Sequence, residues 1–212
     1  MSTESTSQQL SARPARPVFA VLALGSNLGV SVDTLASAVA QLAAADGVEV
    51  TSESPLVLSA AVGGPADQPD YVNQVIEVRT ELAPLELLAL AQEIEQAHHR
   101  ERIVRWGPRT LDIDVITYGE LSSDDEELTL PHPRAAERGF VLIPWSWMDP
   151  GAFVAGKSVF ELADVAADRD TVRPYRAPEV LAVAEAGAVV GQFAEVDGLE
   201  VRGAKAQGGP SA

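Results

Sequence analysis

Cysteine is absent from the 212 residues, so disulfides and thiolate metal sites cannot form. That absence fits a cytoplasmic protein, the location expected here. Lysine is nearly absent as well, with only Lys157 and Lys205. No P-loop is expected, and the dinucleotide spacing G-x-G-x-x-G does not occur. Aromatic residues make up 5% and the net charge is -16, which argues against binding to nucleic acid or to an anionic membrane surface. No apolar run reaches the length of a membrane span. "MSTESTSQQLSARPARP" has no hydrophobic signal core and reads as a disordered leader over 1–17. No internal repeat is found.

What is present is 46% apolar residues, enough for a packed core. Residues 18–29, "VFAVLALGSNLG", read as a buried strand ending in a Gly-Ser-Asn turn. Val32, Leu35, Val39 and Leu42 fall at helical spacing in 31–46, where Ser31 or Asp33 could cap. A second strand is expected over 48–59 and a Gly/Pro-rich functional loop over 60–70. "YVNQVIEVRTEL" (71–82) alternates as a strand should. A helix is expected over 83–100, with Pro84 in its first turn, and a strand over 110–119. "SSDDEE" is an acidic turn, and 133–148 should contain a short helix. The order β-α-β-β-α-β predicts an α+β, ferredoxin-like sandwich. Its antiparallel sheet would carry helices on one face and leave the other to loops and ligands. The domain is expected over 18–165, with 166–212 an irregular or disordered C-terminal extension.

The chemistry concentrates in "RWGPRTLDIDVITYG", residues 105–119. Strand alternation puts Asp112 and Asp114 on one face, roughly 6–7 Å apart at their Cα atoms. Two carboxylates so close repel each other, and a divalent cation would offset this. Mg²⁺ is often held by one or two carboxylates plus substrate phosphates. The ordinary alternative is a solvated sheet face. Arg100, Arg102, Arg105 and Arg109 fall within ten residues, in a chain of 13 arginines. Arginine forks suit phosphate oxygens, although most surface arginines merely pair with surface acids. Aspartates beside arginines are the equipment of phosphoryl transfer. "GSNLG" is too short to bind phosphate alone, and a tight turn explains it better. His98 and His99 sit at a helix end, where the dipole accounts for them. His132 lies between two prolines, with Arg134 and Arg138 close behind. Held so, it could donate to a phosphate oxygen; a packed surface histidine is the plain alternative.

"RWGPRTLDIDVITYG" resembles the signature of the 6-hydroxymethyl-7,8-dihydropterin pyrophosphokinases, the pyrophosphoryl-transfer enzymes of folate biosynthesis. "LALGSNLG", "DQPDYVNQV" and "LTLPHPRAAERGFVLIPW" match in the same order, over roughly residues 18–150. The resemblance implies a ferredoxin-like fold and transfer of the β,γ-pyrophosphoryl group of ATP to the pterin hydroxymethyl group, releasing AMP. It implies a pair of Mg²⁺ ions on Asp112 and Asp114, Arg109 on the transferring phosphates, and Arg100 as a mobile-loop catalytic arginine. Gln92, Glu95, Arg102, His132 and Arg138 would serve ATP. Tyr71 and Asn73 match the Tyr-x-Asn of the third strand, with Asn73 on the pterin edge. Phe140 would stack on the ring, and Trp106 would close over the site unless it is a core tryptophan. The arginine segment would be a loop closing over the triphosphate. The loop at 60–65 lacks the Thr-Pro-type residues often found there in the family, so backbone groups would serve instead. The protein is expected to act as a monomer, without nucleic-acid or membrane partners. A Mg²⁺-dependent nucleotide hydrolase and a non-enzymatic sensing or RNA-binding module are the competing readings. The first leaves Asn73 and Phe140 without purpose. The second leaves Asp112, Asp114, Arg109 and His132 unexplained.

Overall fold

The computed structural model describes residues 3–63, 68–98 and 110–177. Along the chain run α1 (Thr3–Ser11), β1 (Val18–Ser26), α2 (Ser31–Ala44), β2 (Val48–Glu53), β3 (Val57–Ser59), β4 (Tyr71–Thr80), α3 (Pro84–Ala97) and β5 (Asp112–Tyr118). Then come β6 (Ser123–Asp124), β7 (Thr129–Leu130), α4 (Gly139–Met148), β8 (Phe153–Val154), β9 (Lys157–Ser158), α5 (Val159–Val165) and β10 (Arg173–Pro174). All belong to Met1–Tyr175, one of two compact units; the other is Arg176–Ala212. No helix among the described residues is long and apolar enough to cross a membrane.

The main sheet runs β10-β3-β4-β1-β5, with β2 also on β4, and every pairing is antiparallel. The strand expected over 48–59 is divided. Pro55 has no amide hydrogen and cannot continue the ladder. Ser54 repairs the gap: its amide donates to Val75 O at 2.8 Å and its Oγ accepts from Val75 N at 2.9 Å.

One face of the sheet carries Ala20, Leu22, Leu24, Val72, Ile76, Val78, Ile113 and Val115. Leu35 and Leu42 of α2 and Leu87 and Ile94 of α3 pack onto it. Leu22, Leu35, Leu42, Ile76 and Leu87 are fully buried, each contributing about 1.5–3 kcal/mol. The opposite face is where expectation and structure differ. Helices were expected on one face only, but Val141, Leu142 and Trp145 of α4, with Val159 and Ala163 of α5, cover Val21, Val75 and Ile116 on the other. "GFVLIPWSWM" is apolar on nearly every side, so α4 must be enclosed rather than laid on the surface. A bulge opposite Val21 and Leu22 on β1 shifts the β5 register, so that Ile116 faces α4 while Tyr118 returns to the first core.

The disordered leader expected over 1–17 is also corrected. Thr3–Ser11 is helical and Leu10 is 1% exposed within the first core. Arg13 then pairs with Glu86 at 2.7 Å. The described part of the expected irregular extension, 166–177, contains a 3₁₀ turn at Arg169–Thr171 and β10 on the edge of β3.

Candidate active site

The second sheet face is only half covered. Beyond Val21, Val75 and Ile116 the same strands turn to small and polar side chains: Ala23 and Gly25 on β1, Tyr71 and Asn73 on β4, Asp112 and Asp114 on β5. Large side chains are missing there, and a cavity of about 270 Å³ takes their place. Its floor is Ala23, Gly25, Asn73, Asp112 and Asp114; its rim is the loop 60–63, Arg138 and Phe140, and Ala167 with Asp168. The register explains the grouping, since Gly25 lies opposite both Asn73 and Asp112, and Ala23 opposite Asp114.

Asn73 is buried and its Nδ2 donates to Ser59 Oγ at 3.0 Å. This bond turns its Oδ1 toward Gly25, where a Cβ would lie 3.1 Å away. At the other end of the cavity a charged cluster is centred on Asp114. Arg138 Nη1 donates to Asp114 Oδ2 at 3.3 Å, and His132 Nε2 lies 3.8 Å from the same oxygen. The Arg138 guanidinium also stands 5.4 Å above the Phe140 ring. Burial holds the His132 imidazole below its ordinary pKa; Asp114 pulls it up, while Arg138 and Arg134 push it further down. At neutral pH the ring is therefore neutral. Its Nδ1 accepts the Arg134 amide at 3.2 Å, which leaves the proton on Nε2, facing Asp114. His132 N–H in turn donates to Ile116 O at 2.8 Å, tying this loop to β5.

Of the residues singled out in the sequence, Tyr71, Asn73, Asp112, Asp114, Arg138 and Phe140 line one cavity, with His132 at its edge. Gln92 is exposed on α3 and is not part of the wall. Glu95 is buried, 3% exposed, and its Oε1 accepts the Ile113 amide at 2.7 Å. It thus anchors the strand between the two aspartates rather than lining the cavity. Arg100, Arg102, Trp106 and Arg109 lie outside the described residues. Gly25, Ser59 and Asp168 went unnoticed in the sequence. For Gly25 the signal was present in "LALGSNLG", a small residue inside a strand. For Asp168, far along the chain, there was none.

One correction concerns the P-loop. Residues 151–158, "GAFVAGKS", do have the spacing G-x-x-x-x-G-K-[ST], contrary to the expectation. They fold as the β8–β9 hairpin, whose turn residues Ala155 and Gly156 have φ of 49° and 73°. The segment pairs with itself instead of opening its amides around a phosphate, and it is not part of the cavity.

A cavity that brings together a carboxylate pair, an arginine stacked on an aromatic ring and a buried amide is suited to an anionic and a flat, nitrogen-rich ligand side by side. A family model described as 7,8-dihydro-6-hydroxymethylpterin-pyrophosphokinase matches residues 21–150. A 2-amino-4-hydroxy-6-hydroxymethyldihydropteridine pyrophosphokinase of Synechocystis sp. is 42% identical over 150 residues, covering 68% of this chain and 74% of that protein. The protein of the same name from Bacillus subtilis is 44% identical over 126 residues, covering 59% and 75%. Among solved structures, a Plasmodium falciparum HPPK-DHPS with pterin and p-hydroxybenzoate is similar, with a TM-score of 0.57 at 12% identity. That match covers 77% of this chain and 47% of the other, so the chain spans about half the length of that protein, and the likeness is one of fold. The chain belongs to the 7,8-dihydro-6-hydroxymethylpterin-pyrophosphokinase family.

Proposed function

We propose that this chain transfers the β,γ-pyrophosphoryl group of ATP to 6-hydroxymethyl-7,8-dihydropterin, the step that gives the pterin diphosphate and AMP in folate biosynthesis. The observation that carries this reading is a shared cavity: Asn73, Tyr71 and Phe140 line it together with Asp112 and Asp114. In the reaction the pterin hydroxymethyl oxygen bonds to the β-phosphorus and gives up its proton. The bond from that phosphorus to the oxygen bridging toward the α-phosphorus breaks, and AMP leaves.

The roles proposed follow from the chemistry of each side chain. Asn73, oriented by Ser59, reads the pterin edge, and Phe140 stacks on the ring. Arg138 and neutral His132 donate to phosphate oxygens. Arg100, Arg102 and Arg109 serve the triphosphate, with Trp106 closing over the pterin and Gln92 on the ATP side. Asp112 and Asp114 fit Mg²⁺, being hard oxygen donors on one strand face. No group of three or more metal-ligating side chains occurs among the described residues, so substrate phosphates would complete the coordination. When bound, Mg²⁺ would neutralise charge on the triphosphate. The sheet order, with the first strand between the third and fourth of a β-α-β-β-α-β unit, supports the ferredoxin-like reading. The functional unit is taken as Met1–Tyr175 rather than 18–165, because α1 and the segment 166–175 pack on it. A cytoplasmic location and a monomeric state are proposed.

The test is AMP release from ATP and Mg²⁺, with and without the pterin, in wild type and Asp114→Ala. Pterin-dependent AMP is expected, reduced about a hundredfold or more in the variant. ADP as product, or turnover indifferent to pterin, would leave the hydrolase reading in its place.

A further inference from the structure

We infer that Asp168, which lies beyond the span matched by the family model, is a positioning residue for the pterin pocket: it caps α4 from a distance and so holds Phe140 at the cavity. The inference rests on the pterin reading of the cavity given above.

The argument begins at the start of α4. Its N-cap residue is Arg138, which makes no side-chain cap. Arginine has donors but no acceptor, so it cannot satisfy the amides that a helix start leaves over. The side chain is engaged elsewhere, on Asp114 at 3.3 Å. A site residue therefore occupies the position where serine or aspartate would normally cap. The acceptor comes from 29 residues further on, where Asp168 Oδ1 accepts the Gly139 amide at 2.7 Å.

The fit is close. A Cβ on residue 139 would lie 2.8 Å from Asp168 Oδ1 and 3.3 Å from the backbone of Arg169, so only glycine admits this approach. Asp168 and its neighbour Ala167 are also part of the cavity wall, beside Phe140. The other carboxylate oxygen, Oδ2, is buried and has no hydrogen-bond partner among the described residues. The positive end of α4 favours a carboxylate at this position. Asp168 is itself fixed: the Thr171 amide and hydroxyl donate to its carbonyl at 3.0 and 2.8 Å. Beyond it, β10 pairs with β3, the strand that carries Ser59. The segment thus links the two sides of the pocket.

The two site residues flanking Gly139 differ in what else holds them. Arg138 has an anchor on Asp114. Phe140 packs on the second core and beneath the Arg138 guanidinium, but has no polar anchor of its own. Loss of the cap should therefore fall on pterin binding more than on ATP binding.

The test measures two affinities by calorimetry in the full chain: α,β-methylene-ATP with Mg²⁺, then 6-hydroxymethyl-7,8-dihydropterin with that analogue saturating. Asp168→Ala should weaken the pterin about tenfold and the nucleotide by less than about twofold. Asp168→Asn keeps the acceptor and should remain within about threefold of wild type. Gly139→Ala, which leaves Asp168 in place but blocks its approach, should repeat the selective loss. It decides the matter if Asp168→Ala does not fold. Wild-type pterin affinity in Asp168→Ala overturns the inference. So does an equal loss for both ligands, or an asparagine variant no better than alanine. A wild type that binds the nucleotide analogue but no pterin removes the reading of the cavity itself, and this inference with it.

Discussion

At Gly25 the missing side chain is what admits Asn73 to the cavity floor. A methyl group there would sit 3.1 Å from Asn73 Oδ1 and 3.7 Å from Tyr71 Cδ1. Asn73 cannot retreat freely, because it is buried and bonded to Ser59. Gly25→Ala should therefore raise the KM for the pterin about tenfold, with that for ATP changed by less than about twofold. Steady-state AMP formation with each substrate varied in turn measures this. An unchanged pterin KM would mean that the amide is not where the substrate is read. The residue types of the site were largely legible in the sequence: Asp112 and Asp114 by strand parity, His132 by its prolines, Asn73 and Phe140 by resemblance. Glu95 was misread. Helical spacing gives the side of α3 a residue lies on, but not that a carboxylate there would turn inward to accept the Ile113 amide. Asp168 was invisible because its partner, Gly139, is local to it only in three dimensions.

At the scale of elements, the strands and the helices α2 and α3 follow from periodicity. Three features do not. The break between β2 and β3 depends on Pro55, whose missing amide interrupts an otherwise strand-like run. The helix α4 was foreseen, but its side of the sheet was not, since an all-round apolar segment announces burial without direction. The helix α1 is polar apart from one anchoring side chain, Leu10, which enters the core formed with α3. Composition alone reads such a segment as disordered. Leu10→Ala should cost about 2–4 kcal/mol in chemical denaturation and leave the pterin and ATP KM values within about twofold. A change well below 1 kcal/mol would show that the helix is not part of the cooperative fold.

At the scale of the molecule, the net charge of -16 opposes the approach of a triphosphate, so the site's own arginines must overcome the field of the rest of the chain. Four of the 13 arginines fall between 100 and 109 in the sequence, and Arg138 lines the cavity. The architecture supplies the second half of the arrangement. A sheet face covered by α4 and α5 at one end and left open at the other yields one rigid floor, on which a carboxylate pair and a buried amide stand only strands apart. That shared floor is the central claim, and the identity of the pterin product tests it most directly. After incubation with ATP and Mg²⁺, mass and phosphorus spectra of the pterin should show a diphosphate formed in equal amount with AMP. A pterin monophosphate formed with ADP, or an unmodified pterin beside consumed ATP, would contradict it.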